Sequence, residues 1–178
     1  MPRRKGGLSL GRKQQQKPRK ANGRPKKKPH PKALRKAKQE KNAIVKYIYG
    51  IVNKATGKIG GNGNGGPCYG ELTIGMMQNV IDFLIKYTGL SKDSRWVDIG
   101  CGLGKPSLHV AQDPGVQFSF GIEIEELRTN LGLFNLHRVL QMAKNNPSIG
   151  HNCLLQHGDI TEAESLDPFT HVYMFDVA

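Results

Sequence analysis

The sequence predicts an α/β fold with a mostly parallel sheet, preceded by a disordered basic tail. From residue 67 onward, short apolar runs alternate with helical patterns, which is typical of βαβ units in a parallel sheet. The charge is also unevenly distributed. Residues 1–41 hold 17 Lys and Arg against one acid, whereas residues 42–178 hold 10 against 13. The chain therefore divides into a basic tail and a mildly acidic body.

The tail, residues 1–41, contains no Val, Ile or aromatic residue. Such a composition buries too little apolar surface to offset an ordering cost of roughly 1–2 kcal/mol per residue, so we expect disorder, with a short helix over 31–41 as the one local exception. Its net charge of +16 is typical of a nucleic-acid-binding arm, although a solubilising tail without a single partner is the alternative. Residues 23–27 (GRPKK) resemble the core of an AT-hook, a minor-groove reader. The candidate nucleic-acid contacts and nuclear-localisation residues are Arg19, Lys20, Arg24, Lys26, Lys27 and Lys28.

Residues 42–66 join the tail to the body. The β-branched and aromatic residues of segment 42–52 (NAIVKYIYGIV) favour a strand or an anchoring segment. Segment 57–66 has six glycines in ten positions and predicts a flexible linker. The predicted domain limits are therefore 1–41, 42–66 and 67–178.

Several classes of protein are excluded by composition. No run of 18 apolar residues exists, so no transmembrane span is expected. No apolar segment follows the N-terminal charges, so they do not form a secretory signal. The three cysteines are far apart and lack metal-ligand spacing, so neither a zinc site nor a disulfide framework is expected, and a reducing intracellular compartment is the default.

The sequence of the body, residues 67–178, predicts three helices and four strands. The helices are expected at 72–87, with Thr73 as a cap, at 106–111 and at 125–144. The strands are expected at 95–99, 117–123, 153–157 and 171–177. Because a doubly wound sheet usually continues past a fourth strand, we expect the sequence to be incomplete at its C-terminus.

The strongest chemical signal is the run DIGCGLG at residues 98–104, which follows a strand and precedes a helix. A phosphate-binding P-loop is excluded because Ile99 stands where its first glycine belongs, and Pro106 follows Lys105. The dinucleotide fingerprint G-x-G-x-x-G fails because Lys105 occupies its last glycine position. The remaining pattern, D-x-G-x-G-x-G, resembles the first motif of class I methyltransferases, which are Rossmann-like and use S-adenosyl-L-methionine.

Two more acids follow strands at the same predicted edge of the sheet. Glu123 ends the second strand, and its two acceptor oxygens suit the hydroxyls of a ribose. Asp159 follows the third strand, and the resemblance implies that it contacts the adenine amino group. The resemblance also implies that Asp98 belongs to the cofactor site.

The run Tyr69-Gly70-Glu71 narrows the resemblance. Together with residues 96–104, 120–123 and 158–159, it resembles the disruptor-of-telomeric-silencing family of histone H3 lysine methyltransferases, which lack a SET domain. In that family this loop folds over the cofactor. By position, the resemblance implies a cofactor site lined by Tyr69, Gly70, Glu71, Leu72, Trp96, Asp98, Gly100, Gly102, Gly104, Lys105, Glu123, Asp159 and Ile160.

The sequence departs from that family at two positions. Lys105 stands where the family has glutamine, and Asp176 stands where an Asn-Asn-Phe motif would line the lysine channel. A carboxylate at Asp176 would hold a lysine amine, which makes it the candidate catalytic residue. The expected reaction needs no metal.

The expected function is therefore methyl transfer to a lysine of histone H3 in the nucleosome core, in the nucleus, with the tail on nucleosomal DNA. One alternative is a class I enzyme that methylates RNA, DNA or another basic protein. The other alternative is a non-catalytic chromatin-binding protein with a truncated fold.

Overall fold

The computed structural model describes residues 31–56 and 70–175. These residues form α1 (Pro31–Thr56), α2 (Ile74–Tyr87), β1 (Arg95–Ile99), α3 (Lys105–Val110), β2 (Phe118–Glu123), α4 (Glu126–Ala143), β3 (Cys153–His157), a 3₁₀ turn (Ile160–Glu162) and β4 (His171–Met174). The candidate tail contacts at residues 19–28, together with Tyr69 and Asp176, lie outside the described residues.

The four strands form one parallel sheet in the order β3-β2-β1-β4. In the register of the central strand, Asp98 lies between Gly121 on β2 and Tyr173 on β4. Because the strands are parallel, their carboxyl ends meet at one edge of the sheet, where ligands bind in such folds. The predicted fold class, a Rossmann-like α/β domain with a parallel sheet, is confirmed.

Helix α1 corrects one prediction from the sequence and extends another. Segment 42–52, predicted as a strand or anchoring segment, lies inside this helix, and the short helix expected over 31–41 forms its first part. The reason is tertiary packing. Val45, Ile48 and Val52 recur at helical spacing and are buried, and α1 packs against α3 and α4. Burial of this face outweighs the β propensity of its branched residues.

The predicted helices and strands of the body are confirmed to within a few residues at their ends. Thr73 caps α2 as expected, because its hydroxyl accepts a hydrogen bond from the Met76 N–H at 3.2 Å. The structure adds the 3₁₀ turn at Ile160–Glu162. Among the described residues, no helix combines the length and the apolar character that are needed to span a membrane.

The helices pack on the sheet face that carries Trp96, Asp98 and Leu155. One buried cluster joins α1, α3 and α4 to this face, and a second joins α2 to Trp96. The opposite face carries apolar side chains that are about half exposed, such as Leu154 and Val172. The helix-covered face therefore holds the core and, at its carboxyl edge, the candidate site.

Candidate functional site

The site is built on a glycine loop between β1 and α3. Gly100, Gly102 and Gly104 have φ angles of +72°, +53° and +78°, which side-chain-bearing residues rarely adopt. At Gly104 a Cβ atom would also lie 2.6 Å from Cδ1 of Leu155. The loop therefore requires glycine for both its backbone angles and its close approach to β3.

Two neighbouring elements, β2 and α4, hold this loop in place. The Ile122 carbonyl accepts hydrogen bonds from the N–H groups of Gly100 and Cys101, at 2.9 and 3.0 Å. The Asn135 amide of α4 donates to the Leu103 carbonyl at 3.1 Å, and it is fully buried. These hydrogen bonds tie the loop to the edge of the sheet.

Asp98 lies at the base of the loop and is 1% exposed. The Ser107 hydroxyl of α3 donates to its Oδ2 at 2.9 Å. Burial raises the pKa of Asp98 to about 7, opposed by the two hydrogen bonds from Ser107 and assisted by the nearby charge of Glu123. This carboxyl therefore changes its charge close to neutral pH.

Glu123, at the end of β2, is also buried, at 2% exposure. Its Oε2 accepts from the Gly102 N–H at 2.8 Å, and its Oε1 accepts from the Glu125 N–H at 3.0 Å. Arg128 lies 3.7 Å from Oε1. Each carboxylate oxygen has two lone-pair directions, so acceptor capacity remains for a ligand hydroxyl.

An ion pair crosses the cleft that opens above the loop. Lys105, the first residue of α3, donates from its ammonium to Oε2 of Glu71, which precedes α2. The two side chains are 10% and 26% exposed, and both line the cleft. The pair links the segment before α2 to the glycine loop.

Tyr49 of α1 also lines the cleft and begins a buried polar chain. Its hydroxyl lies 3.2 Å from Nδ1 of His109, and Nε2 of His109 lies 3.0 Å from Oε1 of Gln78. Burial lowers the pKa of His109 to about 4, so its imidazole is neutral at physiological pH. Sequence reasoning missed this chain, because its members come from three helices.

Tyr173 of β4 forms another part of the wall. Its ring stacks on Trp96 with centroids 5.2 Å apart. Its hydroxyl is buried and has no hydrogen-bond partner among the described residues. Burial, followed by the charge of Asp98, raises the pKa of Tyr173 to about 12. A buried hydroxyl without a partner is the kind of group that a ligand satisfies.

The structure brings most of the sequence-predicted cofactor residues to this one cleft. The lining includes Gly70, Glu71, Leu72, Asp98, Gly100, Gly102 and Lys105. It also includes Tyr49, Met77, Pro106, Tyr173 and Phe175, which the sequence analysis did not single out.

Other predicted residues lie beside the cleft rather than in its lining. Trp96 is buried in the core beneath it, and Gly104 packs against Leu155. Glu123 reaches the loop through the N–H of Gly102. Asp159 instead caps the turn that also contains Ile160, accepting from the Thr161 N–H at 2.8 Å.

The sheet is parallel, its strand β1 is followed by the glycine loop, and the acidic side chains of Asp98 and Glu123 are buried beside that loop. This arrangement defines a Rossmann-like domain of the class I methyltransferase kind. The family model for "Histone methylation protein DOT1" matches residues 64–164, which is more than half of the chain. The chain belongs to this family, and the resemblance seen in its sequence is confirmed.

Solved structures with a similar fold include two methyltransferases in complex with S-adenosyl-L-homocysteine. A methyltransferase from Geobacter sulfurreducens is 19% identical, with a TM-score of 0.45 over 72% of this chain and 42% of that one. Magnesium protoporphyrin IX methyltransferase from Synechocystis PCC 6803 is 18% identical, with a TM-score of 0.44 over 77% and 58%. The chain thus spans less than two thirds of either structure. A search of curated proteins found no match.

Proposed function

We propose that the chain binds S-adenosyl-L-methionine in the cleft above the glycine loop and belongs to an enzyme that methylates a lysine of histone H3 in the nucleosome core. One observation carries the proposal. The glycine loop, the Asp98 carboxyl and the Gly70–Leu72 segment converge on one cleft, within a chain of the histone methylation family. The Gly70–Leu72 segment precedes α2, whereas Asp98 and the glycine loop follow it, so the fold brings two separate parts of the sequence to one cleft.

The side chains of the cleft fit the chemistry of this cofactor. Its methionine end carries one ammonium and one carboxylate, which match the opposite charges of Glu71 and Lys105. Its ribose hydroxyls need acceptors, and the oxygens of Glu123 retain acceptor capacity beside Gly102. The unpartnered hydroxyl of Tyr173 offers one further hydrogen bond.

Methyl transfer from a sulfonium depends chiefly on positioning, because the cofactor supplies the activated methyl group. The protein must orient the cofactor and present a neutral amine in line with the methyl carbon. Half-buried aromatic walls such as Tyr173 exclude water, which lowers the pKa of an incoming lysine and favours its neutral form. Asp176, which follows β4, is the proposed residue that holds the incoming amine.

The first test is cofactor binding to the full chain by calorimetry. The two carboxylate oxygens of Glu123 accept hydrogen bonds from two backbone N–H groups, and Glu123→Gln replaces one of these acceptors with an NH₂ donor. We expect this variant to bind the cofactor about tenfold more weakly or worse. Glu126→Gln, one turn away at the exposed start of α4, is the matched control and should bind as the wild type does. Equal affinities for the two variants would remove Glu123 from the site.

The second test concerns the substrate. The complete protein that contains this domain should be offered radiolabelled cofactor with nucleosomes, free histone H3, tRNA or DNA. Labelling of a lysine of H3, and most strongly in nucleosomes, is the expected result. Labelling of the RNA or DNA instead would favour a class I enzyme for nucleic acid. Cofactor binding without any transfer would favour a scaffolding protein.

We further propose that the basic tail holds the protein on nucleosomal DNA in the nucleus. Deletion should stop at residue 30, because Lys38 and Lys41 of α1 pair with Asp82 and Asp113 and belong to the folded body. Removing residues 1–30 should weaken nucleosome binding and flatten its dependence on salt, since each lost phosphate contact lowers the slope by roughly one. An unchanged slope would exclude this role.

A further inference from the structure

Helix α1 has an outer face that turns away from the rest of the body. Residues on this face recur at spacings of three, four and seven, so they share one side of the helix, opposite to the buried Val45, Ile48 and Val52. The exposed residues that define the outer face are Gln39, Lys46, Tyr47, Gly50, Asn53 and Lys54. None of them lines the cleft above the glycine loop, so the outer face is a separate surface.

The outer face carries positive charge and hydrogen-bond donors but no carboxylate. Lys46 and Lys54 are exposed, and neither forms an ion pair with any residue that the structure describes. Residues 41–56 contain no Asp or Glu, although the body as a whole is mildly acidic. The remaining polar side chains of the face are those of Gln, Tyr and Asn. Together with lysine, these are the side chains that proteins place on nucleic-acid phosphates.

Two other lysines of the same helix have a different role. The ammonium of Lys38 lies 2.9 Å from a carboxylate oxygen of Asp82, and that of Lys41 lies 3.5 Å from one of Asp113. These two lysines fasten α1 to the body, and their charges are balanced there. The charge of α1 beyond residue 41 that has no such partner therefore lies on the outer face.

Gly50 provides an independent observation at the centre of this face. Glycine in the interior of a helix is destabilising relative to alanine. No atom lies within 4 Å of the position that a Cβ of Gly50 would take, so packing inside the protein does not require glycine here. A helix without a side chain at this point lets the backbone of another molecule approach closely. Gly50 lies one turn from both Lys46 and Lys54, which are about 12 Å apart along the helix.

We propose that the outer face of α1 contacts the phosphate backbone of double-stranded DNA. Charge complementarity supports this partner, and so does continuity, because residues 1–30 place 12 Lys and Arg and no acid directly before the helix. The inference rests on the proposed role of the tail and extends it into the folded body. Phosphate contacts fix the position and orientation of a protein on DNA without reading its sequence, so no base preference is expected.

The test measures the binding of the full chain to a short DNA duplex at several salt concentrations. Lys46→Gln/Lys54→Gln removes two positive charges from exposed positions and keeps both side chains polar. Each lost phosphate contact lowers the slope of log affinity against log salt by roughly one, so we expect the slope to fall by about two and binding to weaken about fivefold or more. Fluorescence anisotropy measures both quantities, and equal urea midpoints verify that the variant is folded.

Lys86→Gln/Lys92→Gln is the matched control. It removes the same charge from two exposed lysines, one in the last turn of α2 and one in the loop that follows, and should leave the slope unchanged. Equal slopes for the wild type and both variants would overturn the contact. Equal losses in the two variants would also overturn it, because net charge alone would then explain the effect.

Removal of residues 1–30 tests the tail separately. A slope that is flattened by this deletion but not by the α1 variant would keep the tail and reject the outer face. The reverse result would keep the outer face and reject the tail. No binding of duplex DNA by the wild type would reject both. A loss confined to single-stranded RNA would make RNA the partner and overturn the assignment to duplex DNA.

Discussion

Gly104→Ala is expected to lower the free energy of unfolding by about 3 kcal/mol and to abolish ligand binding in the cleft. The φ angle of +78° costs a side-chain-bearing residue roughly 1–2 kcal/mol, and the new Cβ would lie 2.6 Å from Cδ1 of Leu155, which adds about 1–3 kcal/mol of overpacking. Relief by a backbone shift would move the loop that carries Gly102 and the start of α3. Chemical denaturation measures the first effect, and calorimetry with S-adenosyl-L-homocysteine measures the second.

Gly89→Ala separates the two contributions to the loss of stability. Gly89 has a similar φ angle of +75°, but no atom lies within 4 Å of the position that its Cβ would take. We therefore expect Gly89→Ala to lower the free energy of unfolding only by the cost of the backbone angle, roughly 1 kcal/mol, and to leave ligand binding unchanged. Adding Leu155→Ala to Gly104→Ala should restore the stability that is lost through the steric contact with Leu155. The cavity left by the shorter side chain reduces this gain. Equal losses at positions 104 and 89 would mean that the contact with Leu155 is harmless.

The glycine loop was predictable because its signal is local. Three glycines at alternate positions after a buried strand predict a tight turn from the sequence alone, and the register of β1 and β2 then places Asp98 and Glu123 at one edge. Strand limits such as Arg95–Ile99 were equally accessible, since a short apolar run between polar turns has few alternatives.

The part of α1 that follows residue 41 was missed because two signals compete in its sequence. Segment 42–52 is rich in β-branched and aromatic residues, which favour a strand, yet its buried residues recur every three or four positions. The spacing of Val45, Ile48, Val52 and Thr56 gave the better indication, because burial against α4 depends on which face the residues share. Propensity was the weaker of the two signals.

The polar partners in the cleft were not predictable, because each is a long-range contact. Lys105 was recognised as a departure from its family, but nothing local indicates that Glu71, thirty-four positions earlier, neutralises it. The contact of Tyr49 with His109 likewise depends on how α1 crosses α3. Such pairs follow from tertiary packing, which the pattern of a single element does not specify.

Asp98→Asn is expected to make the chain more stable at pH 7 and to remove a pH dependence between about pH 4 and pH 7. The folded pKa of Asp98 is raised from 3.8 to about 7, chiefly by burial. The folded state therefore holds a proton that the unfolded state has lost across this range, and the stability contributed by the neutral acid disappears as the pH rises. Since each pH unit changes the free energy by roughly 1.4 kcal/mol, the whole effect is of the order of a few kcal/mol. The amide oxygen of asparagine still accepts from the Ser107 hydroxyl.

The measurement is the difference in unfolding free energy between the variant and the wild type, from denaturation at several pH values. The difference is needed because His109 titrates with the opposite sign. Burial lowers its pKa to about 4, so its contribution to stability is lost as the pH falls from about 6.5 toward 4. Subtraction cancels His109, and Asp93→Asn, an exposed carboxyl with 77% side-chain accessibility, controls for the loss of one surface charge. A difference that stays flat from pH 4 to pH 7 would mean that Asp98 is ionised throughout. Burial alone would then not govern its charge, and the stabilisation would have to come from the Ser107 hydrogen bonds.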